Sequence, residues 1–145
     1  MRIVLQRIKG ASLRVNDELI SEVKKGLMVL VGVCKDDTIE QVKKCAAKIA
    51  HMRIFERENK LNDSLLDIQG ELLLVSNFTL CTGNGSGARP DFSLSADKEK
   101  AKLLYLALAD ELKGLGVDVK LGAFGENMQI NADLDGPITI YKEIL

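Results

Sequence analysis

Ser76-Asn77-Phe78-Thr79-Leu80 and Gly136-Pro137 are the two places where residue types and spacing could do chemistry in this sequence. Ser76 and Thr79 carry hydroxyls, which become nucleophiles only with a base beside them. Neither an acid nor a histidine is near them in sequence. On spacing alone they read equally as ordinary strand residues. Gly136-Pro137 sits inside a run that otherwise reads as strand. Proline lacks an N–H and fixes its own φ, so it weakens a central ladder. Such a pair either turns the chain sharply or presents backbone atoms to something. Composition alone favours a simple turn with a trans bond.

Other chemistries find little support. The single histidine, His51, falls at the end of a helical pattern. A Ser-His-Asp or Cys-His arrangement and a histidine-built zinc site are therefore not expected. Cys34, Cys45 and Cys81 are an odd number without paired spacing. They read as reduced structural residues, with neither a disulfide framework nor a metal site. The loop Gly83–Gly87 lacks the Gly-Lys-Ser/Thr ending of a triphosphate-binding loop, and Arg89 after it offers an anion contact at most.

Size and charge narrow the class. The chain has 145 residues with 46% hydrophobic content, which suits one domain, 1–145, with a real core. Lys plus Arg number 20 against 21 Asp plus Glu, for a net charge of −1. Tight non-specific nucleic-acid binding rests on many phosphate contacts, so an RNA partner would be gripped locally. No apolar run reaches the roughly 18 residues of a membrane span. The N-terminus alternates like a strand and has no signal-peptide layout. A cytoplasmic protein without a membrane association is expected.

The elements that must position these residues follow from periodicity. Ala11–Val15 and Leu19–Val23 alternate as a hairpin about Asn16-Asp17, and Leu27–Val31 reads as a strand buried on both faces. A helix starts at Asp37-Thr38-Ile39-Glu40 with an acidic N-cap, and buries Ile39, Val42, Ala46 and Ile49 before ending near Met52. Leu72–Leu80 is the strongest strand. A second helix spans about Asp97–Lys113, stopped by Gly114. Strands follow at Val117–Leu121, Met128–Ala132 and Ile138–Ile144. The order is three strands, helix, two strands, helix, three strands: an α/β, single sheet-rich domain of about eight strands and two helices.

Ser76-Asn77-Phe78-Thr79-Leu80 resembles the Ser-Gln-Phe-Thr-Leu motif of the D-aminoacyl-tRNA deacylases, also called D-tyrosyl-tRNA deacylases. Asp135-Gly136-Pro137-Ile138-Thr139 resembles their second motif, Asn-x-Gly-Pro-Val-Thr. Arg89-Pro90-Asp91-Phe92, and Gly122-Ala123-Phe124-Gly125 with Met128, fit between them; Gln6-Arg7, Gly26-Leu27, Arg53-Ile54-Phe55 and Leu61-Asn62 fit upstream. The resemblance covers nearly the whole chain, in order. Asn77, Leu134 and Glu126 depart from it, standing where Gln, Asn and a small residue are usual.

The resemblance implies a layered β/β/α deacylase-like fold and a homodimer with its pocket at the subunit interface. It implies an ester hydrolase that, without a cofactor or metal, frees D-amino acids from the 3′-terminal adenosine of tRNA. It also implies release of glycine mischarged on tRNA-Ala. In the family the Gly-Pro bond is cis and its carbonyls enter the partner's pocket to exclude L-amino acids, a role that falls to Gly136 and Pro137. Arg7 would brace that motif across the interface, and Phe124 and Met128 would bind substrate. Ser76, Asn77, Phe78 and Thr79 would form the catalytic segment, with backbone N–H groups around Phe78 and Thr79 on the oxyanion. The ribose 2′-hydroxyl ranks above Thr79 as the activating group. The competing readings are a non-catalytic module that binds the tRNA 3′ end and a structural homodimer that keeps the motifs for packing.

Overall fold

The computed structural model describes all 145 residues. Its strands are β1 (Arg2–Val15), β2 (Glu18–Val23), β3 (Gly26–Gly32), β4 (Phe55–Arg57), β5 (Lys60–Asp63), β6 (Glu71–Ser76), β7 (Asp118–Leu121) and β8 (Gln129–Glu143). Helix α1 is Ile39–His51 and α2 is Lys98–Gly114, and Phe78–Leu80 forms a short 3-10 turn. The expected eight strands and two helices are present, distributed as three strands, helix, three strands, helix, two strands.

One long strand organises the sheet. β1 gives its first half to β3 and its second half to β2 along one edge, while β8 runs antiparallel along the other. Beyond β3, strands β6 and β7 add in parallel. The sheet curls until the Ser21 hydroxyl on β2 donates to the Leu121 carbonyl on β7. Both helices cover the outer face, where Ile3, Leu5, Val29, Leu72 and Leu74 meet Val42, Ile49, Tyr105 and Leu108. The inner face closes on Ile8, Leu13, Met28, Leu73 and Val75. β3 and β6 are thus buried on both sides, which explains their unbroken apolar sequence.

Several boundaries differ from expectation, each for a local reason. Thr38 caps α1 rather than Asp37, because the Thr38 hydroxyl accepts from Glu40 N–H and the Gln41 side chain returns to the Thr38 N–H. Asp37 is instead buried, where it accepts from the Cys34 N–H at 2.7 Å and from the Met1 amine. Ile39 lies at the open start of the helix and is half exposed. Asp97 caps α2 as expected, but the left-handed residue after its end is Gly116, φ +94°, not Gly114. β6 stops at Ser76, four residues short of the expected end, since Asn77 turns the chain.

The two expected C-terminal strands are one. Gln6 pairs with Thr139 and Ile8 with Leu134, so two steps along β1 oppose five along β8. The surplus residues around Gly136-Pro137 bulge away from the ladder, which is how a long strand tolerates this proline.

Candidate active site

β3 and β6 run parallel, so their carboxyl ends open onto the same crevice, a common ligand position in sheets of this kind. A cavity of about 600 Å³ lies there, within the range of small-molecule sites. One part of its wall is Ser76, Asn77 and Phe78, another is Phe124 and Met128, and Tyr105 and Ala101 of α2 also line it.

The catalytic-segment wall is built by a side chain. The Asn77 Oδ1 accepts from the Thr79 N–H at 3.2 Å and from the Thr79 hydroxyl, capping the 3-10 turn. Leu80 N–H donates back to the Asn77 carbonyl at 3.3 Å, and Cys81 N–H to the Phe78 carbonyl at 3.0 Å. Arg2 steadies the far end by donating to the carbonyls of Leu80, 3.0 Å, and Thr82, 2.7 Å. The turn leaves the Phe78 ring 59% exposed, resting edge-to-face on Phe92 with centroids 5.1 Å apart. A large exposed aromatic held at a cavity mouth is a stacking platform in waiting.

The part formed by Phe124 and Met128 depends on two glycines. A Cβ on Gly122 would approach Met128 Sδ to 3.0 Å, so its absence lets Met128 lie over the cavity. Gly125 takes φ +79°, which turns the chain sharply after Phe124. Phe124 packs on Tyr105, whose buried hydroxyl donates to the Leu74 carbonyl at 2.7 Å. Burial pushes the Tyr105 phenol up to about 12, so it stays protonated at neutral pH.

The structure thus brings five of the nine sequence-derived residues to one cavity: Ser76, Asn77, Phe78, Phe124 and Met128. Thr79 adjoins it without lining it; its hydroxyl proton is committed to an amide oxygen, which is no base. The Thr79 N–H is likewise taken by Asn77, which corrects the expectation that it faces the oxyanion. His51 is exposed and absent from the cavity lining.

Gly136, Pro137 and Arg7 lie apart from this cavity within the chain. Gly136 and Pro137 are exposed on the β8 bulge, and the bond between them is cis. Arg7 is buried and holds the bulge of its own chain: Nε donates to the Asp135 carbonyl at 3.3 Å and pairs with the Asp135 carboxylate at 3.2 Å, while Nη1 donates to the Ile54 carbonyl at 3.0 Å. Leu134 contributes a ladder position opposite Ile8 and no side-chain hydrogen bond.

The cysteine expectation is corrected. Cys34 and Cys81 form a disulfide, and only Cys45 is free and buried. They follow the neighbouring carboxyl ends of β3 and β6, a proximity that a sequence separation of 47 conceals. No group of three or more His, Cys, Asp or Glu side chains is arranged to hold a metal, and no helix is long and apolar enough to cross a membrane.

Residues 4–143 match the family described as D-Tyr-tRNA(Tyr) deacylase. This chain belongs to that family. A D-aminoacyl-tRNA deacylase of Caldicellulosiruptor saccharolyticus is 47% identical over 97% of this chain and 95% of its own length. The corresponding protein of Clostridium novyi is 46% identical over the same shares. Among solved structures, a c-Myc DNA unwinding element binding protein superposes with a TM-score of 0.93 at 36% identity, covering 99% of this chain and 98% of its own. A probable eukaryotic D-amino acid tRNA deacylase shares the deacylase fold, with a TM-score of 0.85 at 19% identity over 97% of each chain. Within the family frame, Asp135 and Tyr105 are the supporting residues that sequence reasoning passed over. Asp135 stood inside the quoted motif and Tyr105 inside the second expected helix, so only their contacts reveal the roles.

Proposed function

We propose that this protein is a D-aminoacyl-tRNA deacylase: it hydrolyses the ester between a D-amino acid and the 3′-terminal adenosine of tRNA, and likewise frees glycine mischarged on tRNA-Ala. The observation that carries the reading is the nucleoside-sized apolar cavity walled by the Asn77-capped turn, with Phe78 bared at its mouth. The relatives' shared name supports the same reaction.

Adenine stacks on Phe78, an interaction worth about 1–3 kcal/mol per base. Water attacks the ester carbonyl, the tetrahedral oxyanion forms, and the ribose 3′-oxygen leaves with a proton. The Phe78 N–H, first in the turn and beyond any intrahelical acceptor, is the oxyanion donor. The ribose 2′-hydroxyl activates the water, which agrees with a cavity whose only side chains able to gain or lose a proton are Lys98, Tyr105 and Glu126.

The working unit is a homodimer. Leu134 and Tyr141 on β8 are exposed apolar side chains beside the Gly136-Pro137 bulge, a face suited to a second copy. Across that face the Gly136 and Pro137 carbonyls reach the partner's cavity, bond the substrate ammonium and clash with an L side chain. Fixed backbone suits this task because D-amino acid side chains vary while the stereocentre does not. The site of action is the cytoplasm, where aminoacyl-tRNA is used.

Two mild outcomes separate this mechanism from side-chain catalysis. Thr79→Ala retains kcat/KM within about tenfold, whereas loss of a true nucleophile costs about six orders of magnitude. Glu126→Gln stays within about threefold, against about 10²–10⁴ for loss of a general base. Release of labelled amino acid under multiple turnover reads both. For the wild type, release of D-tyrosine from D-Tyr-tRNA at micromolar enzyme supports hydrolysis; retention of the complex on a filter without release would instead make it a binding module.

A further inference from the structure

Lys98 is the one basic side chain that lines the cavity, and neither the hydrolytic step nor the chiral filter uses it. It is the first residue of α2, directly after the capping Asp97. Its stem crosses Gly125, with Cε 3.3 Å and Nζ 3.5 Å from the point a Cβ there would occupy. Gly125 thus vacates the space through which the lysine reaches the mouth. No carboxylate lies within 4.0 Å of the Lys98 ammonium, and no acceptor of this chain takes its protons. Lys100, two residues on, is by contrast committed to the Lys35 carbonyl. Of the acids beside it, Asp97 spends its carboxylate on the Lys100 N–H, and neither Glu99 nor the cavity-lining Glu126 forms an ion pair with Lys98.

An exposed ammonium that lines the cavity and has no ion-pair partner in this chain is placed to take an anion of the ligand. Resting on the reading that the cavity takes a terminal adenosine, we propose that Lys98 binds the phosphate on the 5′ side of that adenosine. The nucleoside supplies no other negative charge. A single point contact also accords with a protein of net charge −1. Lys98 is therefore a binding and specificity residue rather than a catalytic one.

The test compares adenosine 5′-monophosphate with adenosine by NMR titration of the intact protein. The wild type binds the monophosphate about fivefold tighter, the upper end for an ion pair at an exposed site. Lys98→Ala removes the preference and leaves adenosine binding unchanged, and Lys98→Arg retains it. In turnover on D-Tyr-tRNA, Lys98→Ala raises KM with kcat unchanged, and the slope of log(kcat/KM) against log salt becomes shallower by about 0.7, the value for one phosphate contact on a single strand. A wild type that does not distinguish the two ligands, or a Lys98→Ala variant that still does, overturns the proposal. The titration needs no turnover, so an inactive wild type would count against ester hydrolysis while Lys98 is judged separately.

Discussion

Gly136→Ala is expected to lower kcat/KM on D-Tyr-tRNA by about a hundredfold, the scale on which a displacement of about 1 Å acts. Gly136 sits at φ +122°, a conformation L residues rarely adopt. A Cβ there would lie 3.0 Å from the Ile138 N, 3.1 Å from Ile138 Cγ1 and 3.4 Å from Arg7 Nη2. Two of these neighbours are fixed by the backbone and by the buried Arg7 network, so the bulge must shift. The strained backbone and the shift together cost about 1–3 kcal/mol of stability. A thermal melt beside the kinetic assay separates the two effects: a folded dimer with lost turnover is the expected result. Activity and D-over-L preference equal to wild type would mean that the bulge has no part in substrate recognition.

The second large effect is expected at Asn77. The 3-10 turn has three residues, so the two hydrogen bonds accepted by Asn77 Oδ1 are a large share of what holds it. Asn77→Ala removes the cap, a loss of about 0.5–2 kcal/mol locally. It also frees the Phe78 N–H from its fixed direction, and a misplaced oxyanion donor costs about 10²–10³ in kcat. We expect kcat to fall about a hundredfold with KM nearly unchanged, because Phe78 still stacks. Asn77→Ser keeps an acceptor oxygen at the cap and is expected to stay within about tenfold of wild type. Stopped-time measurements of amino-acid release give both constants; equal losses in Ala and Ser would show that the amide acts by some means other than capping.

Much of this site was legible before the structure. Spacing alone left Ser76–Thr79 as strand residues and Gly136-Pro137 as a turn; the resemblance to the two deacylase motifs singled them out. Phe124 and Met128 came from the same resemblance, through Gly122-Ala123-Phe124-Gly125 and the Met128 that follows. What sequence concealed depends on pairing across the sheet. The Cys34–Cys81 disulfide arises from parallel β3 and β6, which no spacing rule reveals. The bulge at Gly136 is a register mismatch between β1 and β8, and reads in one dimension as a break between two strands. Arg7 was expected to brace the motif across an interface; within its own chain its hydrogen bonds go to Asp135 and Ile54, contacts that its place in the sequence does not reveal. The end of β6 was missed because Phe78-Thr79-Leu80 has strand-like residues, and the Asn77 side chain outweighs that preference locally.

The most direct measurement sets D-Tyr-tRNA and L-Tyr-tRNA side by side, charged on the same tRNA and treated with the same enzyme. Hydrolysis at the Phe78 turn with a backbone filter at Gly136-Pro137 gives rapid release of D-tyrosine, while L-tyrosine leaves at the rate seen without enzyme. Equal release of both enantiomers, or D-Tyr-tRNA left intact at micromolar enzyme, would contradict it.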